Sequence, residues 1–160
     1  MEIKMVTPKE AVDAFLKTAA RILNDEIFSA LAYMGETSLN KIRDRSSEES
    51  WIDHTGNLRS SVGYSIYNHG KALMQSAFAV VKEGSKGQSE GRKMVEELAS
   101  KYSNTYALVV VAAMSYADYV EALKNKDVLA STETWARGKV DEYIQKAVDK
   151  ATKKINSIQI

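Results

Sequence analysis

Asp53, His54 and either Ser60 or Ser61 crowd into one short stretch and supply an acid, a base and a hydroxyl nucleophile. That set of side chains hydrolyses esters and amides when the three line up in a relay. Adjacent Asp and His side chains do not align easily in such a relay, and no Gly-x-Ser-x-Gly elbow raises either serine above a sheet. A turn whose Asp, Thr and Asn side chains bond to nearby backbone accounts for the same residues more simply. A small hydrolase using Asp53, His54 and Ser60 is therefore kept only as an alternative.

The remaining polar groups point away from chemistry. His54 and His69 are separated by a predicted strand, and neither has a second His or a carboxylate at helical metal-ligand spacing, so no metal is expected. Glu48-Glu49, Glu96-Glu97 and Asp141-Glu142 are adjacent pairs, which diverge on a helix and read as solvated faces. The glycines between Glu83 and Gly91 lack the Gly-Lys-Ser/Thr ending of a phosphate cradle, and no cofactor is expected. From Arg137 to Ile160, six Lys or Arg face three acids. Lysines late in a helix complement its dipole. The competing reading, a nucleic-acid-binding module, lacks arginine-rich or aromatic base-reading residues beside those lysines.

Composition sets the frame for these residues. A chain of 160 residues, 44% hydrophobic and 27% charged, is large enough for one core and is expected to form a single domain, 1–160. The net charge of +1 argues against general affinity for nucleic acid. No cysteine is present, which excludes disulfides and thiolate sites. The longest apolar run, Tyr106 to Met114, is too short to cross a bilayer, and the first residues lack the pattern of a secretion signal. Synthesis and folding in the cytoplasm are expected, with no membrane partner.

The pattern predicts an α+β fold: a long N-terminal helical region, a small antiparallel sheet with a hairpin and an exposed loop, and a long C-terminal helix. Thr7-Pro8-Lys9-Glu10 carries the signals of a helix start, with Thr7 as the cap. Apolar residues then recur at helical spacing from Val12 through Phe15, Ile22, Ile27 and Leu31 to Met34. The helix either runs unbroken toward Arg45 or breaks near Asn24-Asp25 or Gly35. Val62, Tyr64 and Ile66 alternate with small polar residues, as in a half-buried strand. Asn68-His69-Gly70-Lys71 turns the chain, and Ala72 to Val81 reads as the returning strand. Glu83 to Gly91 reads as an exposed, mobile loop, and Met94, Val95, Leu98 and Tyr102 as a short amphipathic helix. Thr105 to Met114 is expected at the centre of the sheet, since its β-branched, almost wholly apolar run suits a strand buried on both faces. Ser115 to Leu123 is ambiguous, and Lys126 to Leu129 is expected as a short edge strand. Ser131 or Thr132 is expected to cap the last helix, whose stripe includes Trp135, Tyr143, Ala147 and Ala151.

Two segments resemble a known family. Trp51-Ile52-Asp53-His54-Thr55-Gly56-Asn57-Leu58-Arg59-Ser60-Ser61-Val62 is similar to the D-x-T-G-x-L-R-x-S-I signature of neck and tail-completion proteins of long-tailed bacteriophages. Tyr116-Ala117-Asp118-Tyr119-Val120-Glu121 is similar to that family's second signature, Y-A-x-Y-V-E, although Ala122-Leu123 stands where a glycine usually follows the Glu. The resemblance implies a non-enzymatic virion subunit, made in the host cytoplasm, that forms a homo-oligomeric ring at the head-tail interface. Its partners would be the head-connector and tail proteins of the same phage, with non-specific contact to DNA in the lumen. A tail terminator or minor tail protein is the alternative within the same class. The candidate interface residues are Thr55, Gly56, Asn57, Leu58, Arg59, Tyr116, Tyr119 and Glu121. Thr55-Gly56-Asn57 is expected to make a sharp turn with Leu58 packed beneath it. Arg59 is expected to pair with an acid, either Glu121 or one on a neighbouring subunit.

Overall fold

The computed structural model describes residues 8–46, 51–124 and 126–158. It is α+β, with long first and last helices and a three-stranded antiparallel sheet. The expected cap Thr7 lies outside the described residues. In chain order the elements are α1 (Lys9–Arg43), α2 (Asn57–Ser60), β1 (Val62–Asn68), β2 (Lys71–Gln75), α3 (Ser85–Leu98), a 3-10 turn (Ala99–Tyr102), β3 (Tyr106–Ala112), α4 (Ala117–Lys124) and α5 (Ala130–Asn156). The chain divides into two compact units, one of residues 1–30 and 140–160, the other of residues 31–139.

The smaller unit is built from the first part of α1 and the last part of α5. Its apolar residues fall at helical spacing, yet the described residues buried in it are Ala147 and Ala151 alone. Phe15, Ile22, Leu23, Ile27, Tyr143 and Ile144 are only half-buried, and Leu16 is 57% exposed. The Lys154 ammonium pairs with the Glu26 carboxylate, and Lys146 pairs with Glu142 at 2.6 Å one turn away. One lysine thus pairs across to α1 and the other within α5.

The larger unit holds the sheet, in the order β2-β1-β3. One face of β1 meets the end of α1, where the Tyr64 ring lies over Gly35 so closely that a Cβ there would sit 2.6 Å from a ring carbon. Gly35 is thus not a break in α1, which is one continuous helix, but the seat of an aromatic ring. The Tyr64 hydroxyl donates to Glu36 Oε1 at 2.6 Å. Burial first, then the Glu36 hydrogen bond and charge, push the phenol well above its ordinary pKa. On the opposite face Tyr67, Phe78, Val95, Val109 and Val111 form a buried cluster beneath α3. Phe78 enters it from the segment after β2, its ring lying 2.3 Å from where a Cβ on Gly63 would stand and 2.5 Å from one on Gly91.

Several sequence expectations change here. β1, predicted to be half-buried, is the central strand: Val62 to Tyr67 are all buried, because Gly63 and Ser65 leave room on their face for Phe78 and α3. β3, predicted to be central, lies at an edge of the sheet. The stretch 83–91 is not a loop over most of its length, since α3 begins at Ser85 with Gly87 and Gly91 buried. The irregular segment lies earlier, at 76–84, exposed in part but burying Ser76 and Phe78, and β2 stops at Gln75 well short of Val81. Residues 126–129 form no strand but the entry to α5. The hairpin holds as expected: His69 and Gly70 take φ of 49° and 78°, the two positive values that a tight two-residue turn demands.

The glycines yield a paired test. Gly91→Ala forces a methyl against Phe78 and the Ser61 carbonyl, so we expect a loss of about 1–3 kcal/mol in denaturant unfolding, the usual cost of overpacking. Gly138→Ala, at an α5 position with open space around it, should instead gain about 0.5–1 kcal/mol from helix propensity.

Candidate functional site

The first motif folds into a turn in which nearly every polar atom is engaged. Asp53 Oδ1 accepts the Gly56 N–H at 3.0 Å, and Asp53 Oδ2 accepts the Arg59 N–H at 3.3 Å. Gly56 holds φ at 81°, and a Cβ on it would lie 1.8 Å from the Val81 carbonyl oxygen, so no other residue fits. Thr55 Oγ1 accepts from the Asn57 backbone at 3.3 Å and from its side-chain amide at 3.1 Å. Asn57 Oδ1 in turn accepts the Gly87 N–H of α3 at 3.1 Å. Leu58 is buried beneath the turn, as expected. Ser60 Oγ accepts the Val81 N–H at 2.8 Å, and Ser61 Oγ donates to the Leu58 carbonyl at 2.8 Å while accepting the Ala113 N–H at 3.1 Å. Lys82 Nζ closes the turn from outside by donating to the Asp53 carbonyl.

Arg59 ties this turn to the end of α1. Its guanidinium donates to the Arg43 carbonyl, one of the unpaired acceptors at the helix C-terminus, and lies 5.0 Å over the Trp51 ring. Its charge partner is Asp53 at 3.9 Å. The pairing with Glu121 that the sequence suggested is not formed within the subunit. Arg43 donates through Nη2 to the Val62 carbonyl at 2.8 Å. Burial lowers its pKa most; the Glu36 charge opposes this, and the neighbouring Arg59 adds to it.

Glu121 does something else. Its Oε1 accepts the N–H groups of Val128, Leu129 and Ala130 at 3.3, 3.2 and 2.8 Å, which places a carboxylate at the positive end of α5. Asp127 completes this cap by accepting the Ser131 N–H at 3.2 Å. The hydroxyls of Ser131 and Thr132, expected as the cap, instead accept from Arg45 Nη2 at 2.7 and 2.6 Å. Arg45 also forms an ion pair with Asp127 at 2.7 Å. Burial alone would raise the Asp127 pKa, but hydrogen bonds from Ser131 and the Arg45 charge outweigh it and hold the carboxyl below its usual value. Arg45 and Asp127 were not legible in sequence, since nothing local marks two residues so far apart as partners.

The two motifs meet in space. The Tyr116 phenol lies beside the first motif: burial, then the Asp53 charge, raise its pKa, and the nearby Thr55 side chain opposes them. Tyr116 precedes α4, and its carbonyl accepts the Val120 N–H at 3.0 Å. Around this junction Ile52, Tyr116 and Tyr119 are exposed by 67%, 39% and 59%. The two motifs therefore lie side by side and present aromatic and aliphatic side chains outward.

The three hydrolase candidates are not assembled. Asp53 is engaged by the turn, Ser60 is fully buried and bonded to backbone, and His54 is exposed with no hydrogen bond to either. Among the described residues no cluster of His, Asp and Glu is arranged to hold a metal ion. No helix among them is long and apolar enough to cross a membrane. Comparison of the chain with protein-family models, with curated proteins and with solved structures yields no match.

Glu121→Ala strips three N–H groups at the start of α5 of their acceptor and should cost about 1–3 kcal/mol in chemical denaturation. Asp127 gives a pH signature. Because its folded pKa is depressed, its stabilisation is complete above the ordinary carboxylate pKa and is lost as pH falls through the folded value. The stability gap between the wild type and Asp127→Asn should therefore be widest near neutrality and close below about pH 4.

Proposed function

We propose that this chain is a structural virion subunit of a tailed phage or prophage that joins copies of itself into a ring at the head-tail interface. The observation that carries the reading is that the two motif segments lie together, with Tyr116 of the second beside Asp53 and Thr55 of the first. Segments that resemble two separate signatures of one family, far apart in sequence, share one junction. The polar atoms of that junction serve the fold, while its outward side chains, Ile52, Tyr116 and Tyr119, are the large apolar kind that anchor interfaces.

The smaller unit supports the same reading. Its helices leave Phe15, Ile22 and Tyr143 half-exposed, and a subunit with surplus apolar surface gains stability when neighbours cover it. A ring requires one patch to meet a different patch of the next copy, with the rotation between them closing the circle.

Mass spectrometry of purified particles, followed by imaging of the neck, tests the proposal directly. The expected result is this chain in multiple copies between portal and tail, surrounding the DNA passage. Its presence instead at the tail-tube end would assign it as a terminator, and its absence from particles would overturn the proposal. Tyr119→Asp should leave thermal stability within about 0.5 kcal/mol, as is usual for an exposed site, yet yield particles lacking this protein.

A further inference from the structure

The two edges of the sheet are built differently. β2, at one edge, has five residues, begins with Lys71 and has an irregular register against β1 at Ile66/Tyr67. Shortness, a lysine and a bulge are the devices by which proteins keep a sheet edge from pairing with other chains. β3, at the other edge, has none of them. Its seven residues, Tyr-Ala-Leu-Val-Val-Val-Ala, include no charge, no Gly and no Pro, and its pairing with β1 is regular throughout.

The phase of the ladder shows which backbone groups face outward. The His69 N–H bonds to the Thr105 carbonyl, and Tyr64 turns its own carbonyl and N–H toward Ser76 on the β2 side. With Tyr64 opposite Val110 and Ile66 opposite Leu108, antiparallel alternation directs Ala107, Val109 and Val111 toward β1. Leu108, Val110 and Ala112 direct their N–H and C=O groups away from it. None of these outward groups has a hydrogen-bond partner among the described residues, and the elements that run closely along β3 are β1 and α3.

We infer that the open edge of β3 pairs with β3 of a second copy, antiparallel about a two-fold axis through Val109. In that register Leu108 lies opposite Val110 of the second copy and Val110 opposite its Leu108. Each pair exchanges both of its N–H···O=C bonds, and the same alternation that leaves these groups outward on one copy leaves them outward on the other. No like charges are brought together, because the strand carries none. Two three-stranded sheets become one continuous sheet, and the apolar edge that invites non-specific aggregation is closed by the same surface on its partner. The contact concerns the free protein and rests on the edge alone, not on the ring reading.

Hydrogen exchange on the wild type and solution mass of two variants test it together. At roughly 100 µM, where a complex of micromolar Kd is populated, the wild type should have the mass of two chains. The Leu108 and Val110 amides should then exchange at least about tenfold more slowly than in dilute protein, while Val109 and Val111 stay protected at both concentrations. Leu108→Pro removes only an outward N–H and so spares the ladder to β1, and Val110→Lys sets a charge on the edge. Both should give single chains with unchanged circular dichroism. If both variants fail to fold, the exchange measurement on the wild type decides alone. Concentration-independent exchange at Leu108 and Val110 would overturn the inference, as would a folded Val110→Lys that keeps the wild-type mass. A larger assembly that forms while those amides stay unprotected would also overturn it, and would leave the ring proposal standing.

Discussion

Backbone approaches backbone across the Gly56–Ser61 turn and α3 more closely than any side chain would allow, and the larger unit is organised around that approach. A Cβ on Gly87 would lie 1.9 Å from the Asn57 carbonyl oxygen, and one on Gly56 would lie 1.8 Å from that of Val81. With the chains that near, the Asn57 side chain reaches the Gly87 N–H, Ser60 reaches the Val81 N–H, and Phe78 slides between β1 and α3 into the core. Any added volume here would separate the sheet from the helix that covers it. Such contacts are unforgiving because interiors pack near crystal density and relax little.

Charge is placed with the same economy. Glu121 and Asp127 hold the start of α5, and Arg45 locks that start through Asp127, Ser131 and Thr132. Arg59 does the corresponding job at the end of α1, on a carbonyl that no helical N–H can satisfy. Asp53, Glu121 and the Arg59 guanidinium are thus engaged within the subunit. The large apolar side chains that remain outward at the motif junction are Tyr116, Tyr119 and Ile52, surface suited to contact.

The sheet shows how one set of residues can be read two ways. Val and Leu in an uncharged run suit a strand flanked on both sides, and β3 has such a run while sitting at an edge. β1 looks half-polar, yet it is central because its small residues accept an aromatic ring and a helix on the side that alternation assigned to solvent. Glycines at 84, 87 and 91 likewise suggest a loop by composition, whereas their lack of a Cβ serves a helix that packs tightly.

The class of the fold, the long terminal helices, the hairpin at His69-Gly70 and the turn at Gly56 were legible in the order of residues, because helical periodicity, alternation and positive φ are local properties of a chain. That order also singled out both motif segments. It took the folded chain to bring Tyr116 beside Asp53 and Thr55, to give Arg59 to Asp53 and the end of α1 and Glu121 to α5, and to make β1 and not β3 central. Those outcomes depend on which distant segments come within hydrogen-bonding reach, and that is settled by packing the whole chain, where a glycine's missing methyl or a ring's volume chooses among partners that residue type alone leaves equal.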